Sequence, residues 1–201
     1  SHVDPSKLKQ IYYDVPQNKK FSLLVYLLNK EHPGLVMVFC KTRVNTDLVT
    51  KNLLRNNLHA MAIHGGLSQA KRNSVMKSFH SNEIFILVCT DVAARGLDIK
   101  NVSHIYNYDL SENSTDYIHR IGRTARAGKE GMAISLVSPR DYENFRSVKQ
   151  DDSLNIENVE VPEVPELAVD FRSERSAGRF GRDRGNFRGG SRGSSGGRSG
   201  G

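Results

Sequence analysis

At 201 residues and 22.5 kDa, the chain is longer than a minimal domain and shorter than two ordinary ones, so one compact domain plus an extension is expected. No apolar stretch approaches the roughly 20 residues that span a bilayer. The two cysteines, Cys40 and Cys89, show no C-x-x-C pairing, which argues against a disulfide framework or a zinc site, while a net charge of +7 favours a polyanionic partner.

Apolar runs of strand length recur along the chain. The first, IYYDV (11–15), is followed by KKFSLLVYLLNKE, in which Phe21, Leu24, Val25 and Leu28 form one helical stripe. LVMVFC (35–40) is a continuous apolar run, as expected of a strand buried on both faces. TDLVTKNLLRNN then repeats the helical spacing, with an expected stripe of Leu48 and Leu54 and with Leu58 beyond. HAMAI (59–63) precedes SQAKRNSVMKSF, where Ser68 suits an N-cap and Val75, Met76 and Phe79 the buried side. IFILVC (84–89), SHIYNY (103–108) and MAISLV (132–137) are further strands, and SPRDYENF places Ser138 at an N-cap and Pro139 at the first helical position. This alternation predicts an α/β fold: a parallel sheet with right-handed crossovers and helices on both faces. Ligands of such sheets sit where loops leave the carboxyl ends of the strands.

Charge divides the chain into three blocks. Residues 151–170 hold seven acids and no Lys or Arg, and VEVPEVPELAVD within them reads as an extended acidic linker. From residue 171 to 201, eight Arg stand against two acids, a charge of +6, which leaves +8 on the domain expected over residues 1–150. The tail has no Ile, Leu or Val, so ordering it brings no apolar gain and disorder is expected. Its Arg179, Phe180, Arg182, Arg184, Phe187 and Arg188 combine guanidinium charge with planar groups that stack on bases, a pattern suited to sequence-tolerant single-strand nucleic-acid contact, with a solubilising linker as the alternative. The opening Ser1–His2, without an initiator Met or a signal pattern, reads as a trimmed tag or a domain cut from a longer chain, and a reduced, cytoplasmic setting is expected.

The loops after the strands carry KTRVNT, HGGLSQAKR and TDVAARGLD, and the chain after 103–108 runs into HRIGRTARAG (119–128). Hydroxyls, glycines and basic groups thus collect at one sheet edge, where backbone N–H groups receive phosphate oxygens. VFCKT, IHGGLSQAKR, CTDVAARGLD and YIHRIGRTARAG, in that order and spacing, resemble the C-terminal RecA-like domain of DEAD-box RNA helicases over about residues 10 to 148. The resemblance implies a RecA-like fold that closes with an N-terminal RecA-like domain around ATP with Mg²⁺ and single-stranded or locally duplex RNA. It implies Arg123 and Arg126 as arginine fingers on the γ-phosphate and Asp98 as the acceptor for the ribose. His119 and Arg120 would tie the segment to the partner domain and neighbouring motifs. Lys41, Thr42, Gly65, Gln69, Arg72, Thr90 and Arg95 would hold or organise the RNA backbone, which carries little sequence information. Ala125 stands where the family usually has Gly, and Gly66 where Asp is common.

Other readings of the same residues make different demands. Arg120, Arg123 and Arg126 taken alone could be a solvated basic helix end, although Gly122 and Gly128 argue against a plain helix face. Asp98 could pair with Arg95, and His64 is expected to be structural. Cys89 and Arg95 have the C-x5-R spacing of cysteine phosphatases, but Asp91 inside such a loop would oppose an anion. No G-x-G-x-x-G follows the first strand, which disfavours dinucleotide binding. With no phosphate loop and no D-E-A-D run in the chain, it is expected to be inactive alone as an ATPase, and a non-catalytic RNA-binding module is the alternative.

Overall fold

A computed structural model of the chain describes residues 8–31, 34–124 and 131–171. All six expected strands form within a residue or two of their predicted places: β1 (Lys9–Asp14), β2 (Val36–Phe39), β3 (Ala60–Ile63), β4 (Ile86–Cys89), β5 (His104–Asn107) and β6 (Met132–Val137). They lie in the order β3-β4-β2-β5-β6-β1, each neighbouring pair parallel. Between them run α1 (Lys20–Glu31), α2 (Arg43–Arg55), α3 (Gln69–His80), α4 (Asp91–Arg95) and α5 (Ser114–Ile121), with α6 (Tyr142–Lys149) after β6. A two-residue β7 (Glu157–Asn158) pairs in parallel with the free edge of β1. No helix among the described residues is long and apolar enough to cross a membrane.

The alternation of side chains along each strand builds two cores. Val36, Val38, Ile86, Val88, Tyr106 and Ile134 face α1 and α2, whereas Met37, Phe39, Leu87, Cys89 and Ile105 face α3 and α4. Central strands buried on both faces produce the unbroken apolar runs of the sequence. Helix phase departs from expectation in α2. There the buried positions are Thr46, Val49, Thr50, Asn52 and Leu53, of which Thr46, Val49, Thr50 and Leu53 form the i, i+3, i+4, i+7 set, while Leu54 is 51% exposed. Two of the four inward positions are threonines whose hydroxyls bond the carbonyls one turn back, at 2.8 Å each, so a count of leucines alone gives the wrong face.

Helix α1 is buried more widely than one stripe, with Leu23 and Leu27 at 0% and 2% exposure beside Phe21, Leu24 and Leu28. The acidic segment supplies the extra cover. After β7, Val159, Val161, Val164, Leu167 and Val169 pack against the cluster that contains α1 and α2, and the Phe171 ring meets Phe21 edge-on at 5.9 Å. The Leu167 N–H donates to Ser22 Oγ at 3.1 Å, and Asn52 exchanges two hydrogen bonds with the Asp170 backbone. Glu157, Glu160, Glu163 and Glu166 fall on every third position and stay exposed, while Val161, Val164 and Leu167 occupy another third. Three is the period of an extended polyproline ribbon, and it lets one acidic face look outward while an apolar one lies on the helices.

Lys20 opens α1 with a fully buried ammonium. Its Nζ donates to Asp141 Oδ2 at 2.6 Å and to the Tyr108 carbonyl at 2.9 Å, and lies 5.4 Å from the Tyr108 ring centre. Asp141 also accepts from Ser138 N–H and Oγ, which closes the single helical turn Pro139–Asp141 expected from the sequence. The pair joins α1, β5 and the β6–α6 connection, and removing one partner leaves the other charge buried alone. Lys20→Ala should therefore lower unfolding free energy by about 3–5 kcal/mol, measured by urea denaturation, whereas Lys19→Ala at its exposed neighbour should stay within about 0.5 kcal/mol.

Candidate functional site

Four adjacent strands end where four helices begin. Thr42 caps α2 by accepting from Asn45 N–H at 3.0 Å, Ser68 caps α3 from Lys71 N–H at 3.2 Å, Thr90 caps α4 from Ala93 N–H at 3.3 Å, and Asn113 caps α5 from Asp116 N–H at 2.9 Å. Because β3, β4, β2 and β5 are consecutive in the sheet, the loops that hold Lys41, Thr42, Gly65, Gln69, Thr90 and Arg95 share its carboxyl edge. Lys41 and Asp109, 68 apart in sequence, become neighbours through strand order alone.

Arg120 organises this edge from inside. It is 2% exposed, and its Nε and Nη2 grip the two Asp91 oxygens at 2.6 and 2.7 Å. Nη1 donates to the Asp109 carbonyl at 2.6 Å and to Asn107 Oδ1 at 3.2 Å, and the guanidinium lies over the Phe39 ring at 5.0 Å. One side chain thus joins the ends of β2, β4 and β5 to α5. Asp109 extends the web, its Oδ2 accepting Lys41 N–H at 2.8 Å and Asn45 Nδ2 at 2.7 Å. A solvated basic helix end is the other reading of these arginines; instead Arg120, in the last turn of α5 before its Gly122 cap, faces inward.

Arg123, three residues on, is half-buried. Its Nη2 donates to the Ala94 carbonyl at 2.7 Å and its Nη1 to the Leu97 carbonyl. Arg95 turns to Asp116 at 2.9 Å, and Asp98, 80% exposed, pairs with Lys100 at 3.0 Å rather than with Arg95. Arg95, exposed His119, Arg120 and Arg123 line one cleft with Asp91 and Asp116. Its volume is about 20 Å³, room for about one water molecule. A nucleotide cannot be enclosed there.

Residues 19–128 match the family model for the helicase conserved C-terminal domain. The chain is a helicase C-terminal domain of the DEAD-box family. It is 41% identical over 161 residues to the DEAD-box ATP-dependent RNA helicase CshA of Bacillus licheniformis, covering 80% of this chain and 33% of that one. Among solved structures, a DEAD box protein from Methanococcus jannaschii superposes with a TM-score of 0.72 at 38% identity, over 78% of this chain and 43% of that one. The C-terminal domain of the DEAD-box protein Dbp5 gives 0.71 at 30% identity, over 78% and 91%. The chain therefore spans about a third of the length of the CshA relative, and its sheet and helices have the RecA-like fold of these domains.

In this helicase domain His64 is structural, 6% exposed, with Nε2 against Asp47 Oδ1 at 2.9 Å and Nδ1 accepting Gly66 N–H at 3.0 Å. A Cβ at Gly66 would stand 2.9 Å from His64 Cε1, so the Asp common in the family would displace this ring, and Gly fits the local packing. Gln69 is exposed and donates to Asn73 at 2.9 Å, apart from the arginine cleft. Arg72 in the same turn of α3 has a buried Nε without a hydrogen-bond partner. Arg126, Ala125, Gly128 and the tail residues Arg179, Phe180, Arg182, Arg184, Phe187 and Arg188 lie outside the described residues. Asp91, Asn107 and Asp109, which hold Arg120, were not among the residues picked from sequence. Their signal was position: each ends or follows an apolar strand.

The cysteine reading fails on burial. Cys89 is fully buried, and desolvation pushes its thiol up to about 12 although Arg120 pulls the other way. A protonated, inaccessible thiol is no phosphatase nucleophile. Because the folded value lies above the roughly 8.5 of an unfolded cysteine, the stability linked to Cys89 is complete below that pH and is lost as pH rises from there towards 12. Iodoacetamide at pH 8 should label Cys89 only in denaturant, as read by mass spectrometry. Arg120→Lys offers no bidentate fork and should destabilise the domain by about 3 kcal/mol in the same urea assay.

Proposed function

We propose that this domain is one half of an ATP-dependent RNA helicase and that it delivers Arg123 and Arg126 to a nucleotide held mainly by an N-terminal RecA-like domain. The observation that carries this reading is Arg123 at a cleft of about 20 Å³, too small to enclose a nucleotide, which suits an anion gripped mainly by another body. In this role Arg123 and Arg126 neutralise charge developing on the transferred phosphoryl group, and Asp98, exposed at the end of the α4 turn, accepts hydrogen bonds from the ribose. ATP with Mg²⁺ supplies the phosphoryl chemistry. Among the described residues no group of three or more His, Cys, Asp or Glu could hold a metal ion, and we place Mg²⁺ with the partner domain.

Lys41, Thr42, Gly65, Gln69, Arg72, Thr90 and Arg95 form the RNA backbone face along the sheet edge, and residues 171–201 add a second, sequence-tolerant contact. The relatives' names support this substrate, since CshA is named an RNA helicase. Arg120 with Asp91 and Asp109 keeps the two ligand faces in fixed relation. His119, beside Arg123 in the cleft, serves the interdomain contact.

Fusing this chain to the nucleotide-binding domain of a CshA relative should give RNA-stimulated ATPase activity, while the chain alone hydrolyses no ATP. Arg123→Ala or Arg126→Ala in the fusion should reduce kcat by about 10³–10⁵. Unchanged turnover with intact RNA binding would defeat the finger assignment and favour a non-catalytic RNA-binding module.

A further inference from the structure

Two residues one turn apart on α2 straddle the His64–Gly65–Gly66 turn at the carboxyl edge. Asp47 holds His64 Nε2 at 2.9 Å, and Arg43 lies against the glycines. A Cβ at Gly65 would stand 2.8 Å from Arg43 Nη2, 3.3 Å from Cζ and 3.4 Å from Nε, and one at Gly66 would meet Arg43 Cδ at 3.8 Å. Neither glycine lies in the left-handed region of φ, so position 65 requires glycine for space and not for conformation. A guanidinium fills that space.

Other cations of this edge face acids: Lys41 pairs with Glu112 at 3.4 Å and Arg95 with Asp116 at 2.9 Å. Among the described residues no carboxylate pairs with Arg43, and Asp47, one turn on, turns to His64. Arg43 is also the first residue of α2, whose first turn holds no acid, so its charge and the positive end of the helix add. An anion placed there meets both. We infer that Arg43 is a further contact for an RNA phosphate and that Gly65 serves it by leaving its seat open. The inference rests on the reading of this edge as the RNA backbone face. A guanidinium offers a phosphate paired, charge-assisted donors only when its plane is held in place, and the bare backbone at Gly65 is the surface that holds it. A methyl at 65 pushes the guanidinium off that surface without removing its charge, since the far end of an exposed side chain swings aside at little cost. Gly65 is thus a positioning residue, and Arg43 is the group that reaches the phosphate.

Binding of a fluorescent oligouridine to the 201-residue chain over a series of salt concentrations tests this. One lost single-strand phosphate contact flattens the logarithmic salt slope by about 0.7, so Arg43→Ala should weaken binding roughly eightfold at about 50 mM salt and roughly threefold at about 200 mM. Gly65→Ala should cost nearly as much at an unchanged urea midpoint. The two substitutions together should cost no more than Arg43→Ala alone, the mark of residues that act as one. Lys77→Ala, which removes an exposed cation from the last turn of α3, should leave affinity and slope at wild-type values. Wild-type affinity and slope in Arg43→Ala overturn the inference, as do additive losses in the double variant, which would give Gly65 a contact of its own. A wild-type chain that leaves the RNA unbound overturns the RNA face as well, whereas binding that falls with Arg95→Ala but not with Arg43→Ala sinks the seat and spares the face.

Discussion

A guanidinium taken out of water must have every N–H direction answered, and Arg120 is 2% exposed. Its answer is distributed: a carboxylate after β4, a side-chain amide on β5, a carbonyl after β5 and an aromatic face on β2. None of these groups can shift without leaving charge or dipole unpaired in a low-dielectric space, where electrostatic bonds are strong and their loss is expensive. The relative placement of the loops at the carboxyl edge follows from this one requirement. Through Asp109 it extends to the backbone of Lys41 and to Asn45.

That rigid base supports groups held with much less. Arg123 donates to the Ala94 and Leu97 carbonyls, Asp98 pairs with the part-exposed Lys100, and Arg95 with Asp116, itself bound to the Asn113 cap. Exposed ion pairs of this kind contribute little and exchange readily. The division suits a domain whose ligands are shared with another body. Its scaffold is locked by buried pairing, and the side chains we propose for ligand contact are held by partly exposed bonds.

The face formed by α1 and α2 shows how little regular structure is needed to bury a surface. Residues 159–171 have no helix or strand, yet their apolar positions cover α1 and α2 while Glu160, Glu163 and Glu166 face water. Proline at 162 and 165 presets an extended backbone, so the segment gives up less conformational freedom on docking than a flexible linker would. The end of the domain is thereby carried to Phe171, where the Arg-rich sequence starts.

Local chemistry was readable directly from the chain. The six strands announced themselves as apolar runs because a parallel sheet covered on both faces asks for such residues at every position, and the caps at Ser68 and Ser138 were visible because capping involves groups three residues apart. Four ordered motifs carried the family. What the chain did not reveal were facts about pairs distant in sequence: that Arg120 rather than Arg123 is the buried arginine, that Lys20 meets Asp141, that α2 turns threonines inward, and that an acidic segment lies on α1. Charge and hydropathy are properties of one residue, whereas burial of a charge depends on which distant partner the sheet order brings beside it. Strand order, set by packing the whole chain at once, decided which arginine locks the edge.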